Sequence, residues 1–251
     1  MNRRQILLLL GMSALLTNTS LNAATKLSAE EVRSLLTSHQ GASVPDLTNK
    51  DLSELDLANV DFRGANLTGA NLKHANLSGA NLAGAILDLA IMRKAKLTDA
   101  NLHGASALNT ILAEADLTGA NLSGARLITN FENADLSNAN LEGASMGADM
   151  HNQPMGLMRL SMYNATLRNA KLAGADLSWA MLEFADFSDA DLSGANLSHT
   201  RVGGAYFSGA NLAGSNFTGA DLRSARFIGA KGIDSIVGFD KALNRDTAFF
   251  N

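Results

Sequence analysis

The chain has 251 residues with no cysteine, a formal net charge of −4 and 46% hydrophobic residues, with 22 Gly but only 2 Pro. That composition excludes a disulfide framework and a disordered chain, and the acidic balance argues against a basic nucleic-acid binder. The length is enough for a substantial core.

In chain order, residues 1–24 read as a cleaved secretory signal. Arg3 and Arg4 precede an apolar run from Ile6 to Leu16, and Ala23-Ala24 stands before Lys26, the charged, apolar and small-residue parts that export requires. The run is about eleven residues, too short to span a bilayer, so no membrane anchor is expected after cleavage. Arg3-Arg4 within NRRQIL also resembles a twin-arginine signal; the general secretory route is expected over it, and the destination is periplasmic or otherwise exported. Removal of Arg3 and Arg4 with this segment reduces 20 basic residues to 18 against 24 acidic ones, a net of −6.

Residues 25–44 are expected to form an N-terminal cap. SAEEVRSLL from Ser28 to Leu36 predicts a helix with Ser28 as its N-cap and Glu31 completing a capping box. A cap is needed because a solenoid end exposes core and unpaired edge.

From residue 45 to residue 230 a five-residue phrase recurs, as in RGANLTGANLKHANLSGANLAGA between Arg63 and Ala85. Residues five apart fall on no single face of a helix and on opposite faces of a straight strand. The pattern closes only if the chain turns a corner in each repeat, with Ala65 and Leu67 inward and Asn66, Thr68 and Gly69 outward or in the bend. A central residue can be placed every fifth position from Leu47 to Leu127, at Phe131, Leu136, Leu141, Met146 and Met150, and again from Leu157 to Phe227. These positions hold 25 Leu, 6 Phe and 4 Met with Ala107 and Val202, and none is polar.

Ala70-Asn71-Leu72, Ala80-Asn81-Leu82 and Ala175-Asp176-Leu177 resemble the A-(D/N)-L-x-x signature of the pentapeptide-repeat family. The resemblance implies an all-β fold, a right-handed quadrilateral parallel β-helix with four repeats per coil and about nine coils here. Leu127 to Phe131 and Met146 to Met150 are one residue short and Met150 to Leu157 is two long. The slips cancel on this count, which predicts that the last third returns to the phase of the first, with an outward loop near residues 151–156. A 20-residue coil stacks Phe187, Phe207 and Phe227. Residues 231–251, with Ile233, Ile236, Val237, Phe239, Leu243, Phe249 and Phe250, are expected to fold over the last coil as a C-terminal cap.

The sequence contains no cysteine nucleophile, no Gly-x-Ser-x-Gly, no phosphate loop and no HExxH. His39, His74, His103, His151 and His199 should not converge, and Asp186, Asp189 and Asp191 read as parts of the repeat. No enzyme, metal or cofactor is expected. Two outward features carry the functional reading. Ile86, Leu89, Ile91, Leu108, Ile111 and Ile128 are apolar where solvent-facing residues belong, and contiguous apolar surface marks a contact. Arg159, Trp179 and His199, spaced by 20, should form an outer column with Met181 and Phe184 on the neighbouring face; Trp and Arg are frequent interface anchors. The preferred reading is an exported, non-enzymatic scaffold that binds a protein partner of unknown identity. A homodimer or the chain's own termini are the other candidates for covering the apolar edge. The alternative follows from the resemblance: some cytoplasmic members imitate DNA with an acidic rod, bind type II topoisomerases and protect them from quinolones. It requires that the N-terminal segment is not a working signal, and the surface here is interrupted by Arg93, Lys94, Lys96, Arg223 and Arg226.

Overall fold

The computed structural model describes residues 26–38, 45–148 and 159–250; the expected signal, the loop at residues 151–156, and the central positions Met150 and Leu157 lie outside them. In the described repeats each phrase does the same work. Taking the central residue as position i, the residue before it forms a parallel rung with the next coil, as Asn66 does with Ile86. Leu67 N–H donates to Ile86 O at 2.7 Å, and Ile86 N–H donates to Ala65 O at 2.9 Å. Ala65 and Leu67 are fully buried, which is why the pattern demands one small and one large apolar residue per repeat.

The corner follows at i+1 and i+2. Ala70 N–H closes a turn on Leu67 O at 2.9 Å, with Gly69 at φ +65°, the positive φ that a type II turn requires at its third residue. The polar residue before Leu fastens the corner: Asn66 Oδ1 accepts from Thr68 N–H at 3.1 Å, and equivalent Asp or Asn residues do so at most corners. Rungs also join sideways, as Asn71 Nδ2 donates to Asp51 Oδ1 at 3.0 Å. Each side contributes one rung between two corners, so the described ladder consists of isolated bridges and not of continuous strands.

Rungs are 20 residues apart from Asp46↔Asn66 to Ile91↔Ile111, so four repeats make one coil. The spacing is then 19 for four rungs, from Ile111↔Asn130 to Arg126↔Ser145, and 31 for the next four, from Asn130↔Ser161 to Ser145↔Asp176. This corrects the expected phase. One residue fewer and then eleven more displace the last third by ten residues, half a coil, relative to a strict count of 20. Met146 belongs to the side whose rung is Ser145, and the next central residue on the following side is Met162.

Within the core, Phe187 and Phe207 stack with centroids 5.2 Å apart, and Phe207 and Phe227 at 5.0 Å. Phe217 meets this column edge-on at Phe207 and Phe227, and Phe239 meets it edge-on at Phe227. At the N-terminal end, α1 (Ala29–Ser38) starts with the expected capping box: Glu31 N–H donates to Ser28 Oγ at 3.2 Å, and Ser28 N–H to Glu31 Oε2 at 2.7 Å. Val32 of α1 is fully buried and Leu36 packs against the core. At the other end, Lys231, Val237, Leu243 and Phe249 continue the ladder as a wider coil, with short 3-10 turns at Ile233–Ser235, Phe239–Lys241 and Arg245–Thr247. No helix among the described residues is long and apolar enough to cross a membrane.

Candidate functional site

The half-coil displacement changes how the two outward features relate. Ile91, Ile111, Asn130, Ser161, Met181 and Arg201 form one unbroken series of rungs. Ile86, Ser106, Arg126, Ser145, Asp176 and Asn196 form the series on the preceding side. Leu89 and Trp179 each follow a rung of that second series by three residues, so both stand on the corner between the two sides. The aliphatic cluster and the tryptophan column therefore lie on one corner of the solenoid. Ile91 and Met181 are four rungs apart, about 19 Å at the usual strand spacing. A strict 20-residue count would have put the two clusters on opposite corners.

In the upper part, Ile86, Leu89, Ile91 and Ile111 are exposed, with Leu89 at 57%. Leu108 is half-buried. Ile128 departs from expectation: it is 6% exposed and belongs to the interior. Its corner is the one that lost a residue. None of Ile128, Thr129 and Asn130 takes the left-handed conformation used at normal corners, Thr129 Oγ1 turns back to donate to Thr110 O, and Ile128 is drawn inward with Thr129.

In the lower part, the Arg159 guanidinium lies 5.7 Å from the Trp179 ring centre. Trp179 and His199 stack at 4.3 Å with their planes 14° apart. Below His199 the column ends at Gly219, where a Cβ would stand 2.7 Å from His199 Nδ1. The Nε of Arg159 is buried with no partner. Met181 is half-buried on the adjoining side and Phe184 is 50% exposed at that side's far corner. Phe184 meets Tyr163 edge-on at 5.5 Å; their rungs, Ser161 and Met181, are an ordinary 20 residues apart, so the coil spacing alone places them on one corner, a pairing the sequence reading missed.

A backbone observation sets three of these residues apart. The left-handed corner position is filled mainly by Gly, Asn or Asp, which adopt it most readily. Leu89 at φ +62°, Trp179 at +65° and Phe184 at +61° occupy it with large apolar side chains. Such positions cost free energy and concentrate at functional sites.

Charged groups on the lower side are paired. Arg201 contacts Glu183 at 2.6 Å and Arg223 contacts Asp221 at 2.7 Å. Burial pushes the Asp221 carboxyl up, but hydrogen bonds from Asn244 and Arg223 outweigh it and hold it below the usual carboxylate range. The aspartates Asp186, Asp189 and Asp191 do not form a cluster. Asp186 is bound to Arg168 and Ser188, Asp191 accepts from Ser193 and Asn211, and Asp189 lies against Gly209.

Among solved structures, the chain is similar to HetL, a pentapeptide repeat protein involved in heterocyst differentiation regulation from the cyanobacterium Nostoc sp. strain PCC 7120. The identity is 28% over 89% of this chain and 94% of that one, with a TM-score of 0.45. It is also similar to QnrB1, a plasmid-mediated fluoroquinolone resistance protein, at 20% identity over 71% of this chain and 89% of that one, with a TM-score of 0.37. No curated protein matches the chain. Eight copies of the family described as pentapeptide repeats match over residues 46–73, 56–93, 95–128, 129–152, 161–198 and 203–231. These matches cover more than half of the sequence and coincide with the observed ladder, so the chain belongs to the pentapeptide repeat family.

Proposed function

We propose that this protein is a non-enzymatic, exported scaffold: a right-handed solenoid of about nine coils, capped by α1 and by residues 231–250, that binds a protein partner along one corner. The observation that carries this reading is the alignment of Leu89, Ile91 and Ile111 with Trp179 and Met181 on a single corner. A solenoid offers an extended, straight surface, and exposed aliphatic and aromatic anchors in one line fit a partner segment running along the axis. The basic n-region and short apolar run at the start of the sequence support export.

Two measurements test it. Mass spectrometry of the mature N-terminus, with cell fractionation, should find a chain beginning near Ala24 or Thr25 outside the cytoplasm. An intact Met1 in the cytoplasm would remove the export reading. A photo-crosslinking residue at Leu89 should capture a discrete partner that the same residue at Asp99, two sides further round the coil, does not. Equal capture at both positions would rule out the corner.

A further inference from the structure

Of the 19 described glycines, 17 have positive φ, so the corner geometry accounts for them. Gly147 is accounted for by packing, since a Cβ there would stand 2.4 Å from Asp176 Oδ2. Gly203 is different. It occupies the first corner position, its φ is not positive, and an added Cβ would meet only Arg223 O at 3.6 Å and Glu183 Cγ at 3.8 Å, which are ordinary contacts. Neither backbone nor neighbours require glycine there.

What the missing side chain creates is an opening. A cleft of about 260 Å³ lies over Gly203 and Gly204, between the coil of Glu183 and Phe184 and the coil of Asp221 and Arg223. The Glu183 and Asp221 side chains are only 15% and 21% exposed, whereas their partners Arg201 and Arg223 are 61% and 68% exposed. The carboxylates thus sit low and the guanidiniums stand at the rim. A guanidinium has five N–H donors, so donors remain for a ligand. The floor adds another. At most corners the first-position amide donates to an Asp or Asn oxygen two residues earlier, as Ser198 N–H does to Asn196 Oδ1 and Arg223 N–H to Asp221 Oδ1. For Gly203 that residue is Arg201, which has no acceptor.

We propose that this cleft is a recognition pocket for the side-chain carboxylate of an Asp or Glu in the protein partner. The carboxylate takes the place that Asp or Asn holds at other corners, accepting from Gly203 N–H on the floor and from Arg201 and Arg223 at the rim. Charge-assisted and bidentate contacts of this kind are the strong ones. The half-exposed Phe184 ring supplies an apolar wall for the methylenes of the same residue. The pocket opens at the far corner of the side that carries Ile91, Ile111 and Met181, so the inference rests on the scaffold reading and adds the partner's chemistry to it.

The test is a titration of the isotope-labelled protein with the methylamide of N-acetylglutamic acid, which carries only the side-chain carboxylate, followed by the Gly203 and Gly204 amide signals. Saturable shifts are expected, with no response to the glutamine analogue. Gly203→Leu fills the opening without backbone strain and should weaken binding about tenfold or more, as should Arg223→Gln. Gly203→Leu should leave the melting temperature within about 2 °C, as for a surface change. Equal shifts with the glutamine analogue, no saturable response, or tighter binding of inorganic phosphate would each overturn the carboxylate assignment. Cross-linking at Leu89 that survives alongside a failed titration removes the pocket and keeps the scaffold. A carboxylate that binds while Leu89 captures nothing does the reverse.

Discussion

The upper and lower parts of the corner that carries Leu89 and Trp179 share one backbone and differ in the side chains that point outward. Both use the same rungs, the same turn and the same left-handed corner position, yet Leu89, Ile91 and Ile111 make an aliphatic strip, whereas Arg159, Trp179 and His199 make a stacked polar and aromatic column. The interior is uniform by comparison, with Ala and a large apolar residue repeated in both parts. In this fold stability resides in the inward positions, and on the proposed reading recognition resides in the outward ones; the two sets are separable because successive residues serve different sides of the wall.

The largest effect should come from breaking the interior. Phe207 stacks between Phe187 and Phe227 with no exposure, so Phe207→Ala should cost about 3–5 kcal/mol, read as a lower chemical denaturation midpoint. A loss below about 1 kcal/mol would mean that the aromatic column is loosely packed and that inside and outside are not distinct after all.

Acid should act next, on the polar residues that fasten corners. Burial pushes Asp186 up, but hydrogen bonds from Ser188 and Arg168 outweigh it, and its carboxyl lies below the usual range; Asp221 is held low in the same way. For a depressed pKa the sign is fixed: the stabilisation is present above the unfolded-state value, about 3.9, and is lost as the pH falls through the folded-state value. Melting temperatures should therefore fall between about pH 5 and pH 2. The two partly exposed groups together should account for about 1–2 kcal/mol. Asp186→Asn keeps an acceptor for Ser188, as Asn196 does for Ser198, and should flatten part of that dependence. An unchanged pH profile in this variant would show that the charge at Asp186 is not used.

What was legible in the sequence follows the same division. The period, the paired Ala and Leu and the phenylalanine column could be read because burial imposes them on residue type, and the α1 capping box because Ser28 and Glu31 stand at the spacing that satisfies the first N–H groups of a helix. The half-coil displacement could not. Met150 and Leu157 are large apolar residues at nearly the right spacing, so they counted as repeats, whereas the rungs pass from Ser145 to Asp176 and from Asn130 to Ser161. Ile128 was misplaced for a related reason: a corner one residue short turns an outward position inward. Gly203 was hidden by its composition, since it looks like the corner glycines beside it and differs only in φ and in its surroundings.

Relieving the corner should produce a change of opposite sign to the core variant. Leu89 has a left-handed backbone that a branched apolar side chain adopts at a cost, and its side chain is 57% exposed, so little burial offsets that cost. Leu89→Gly removes the steric penalty but loosens the unfolded chain. The net expectation is a gain of about 0.5–1 kcal/mol in stability together with loss of partner capture at the corner. Stability that rises while binding falls would mark Leu89 as retained for contact and not for folding. A loss of stability instead would mean that Leu89 covers its neighbours in the isolated protein, and the aliphatic strip would then be part of the wall.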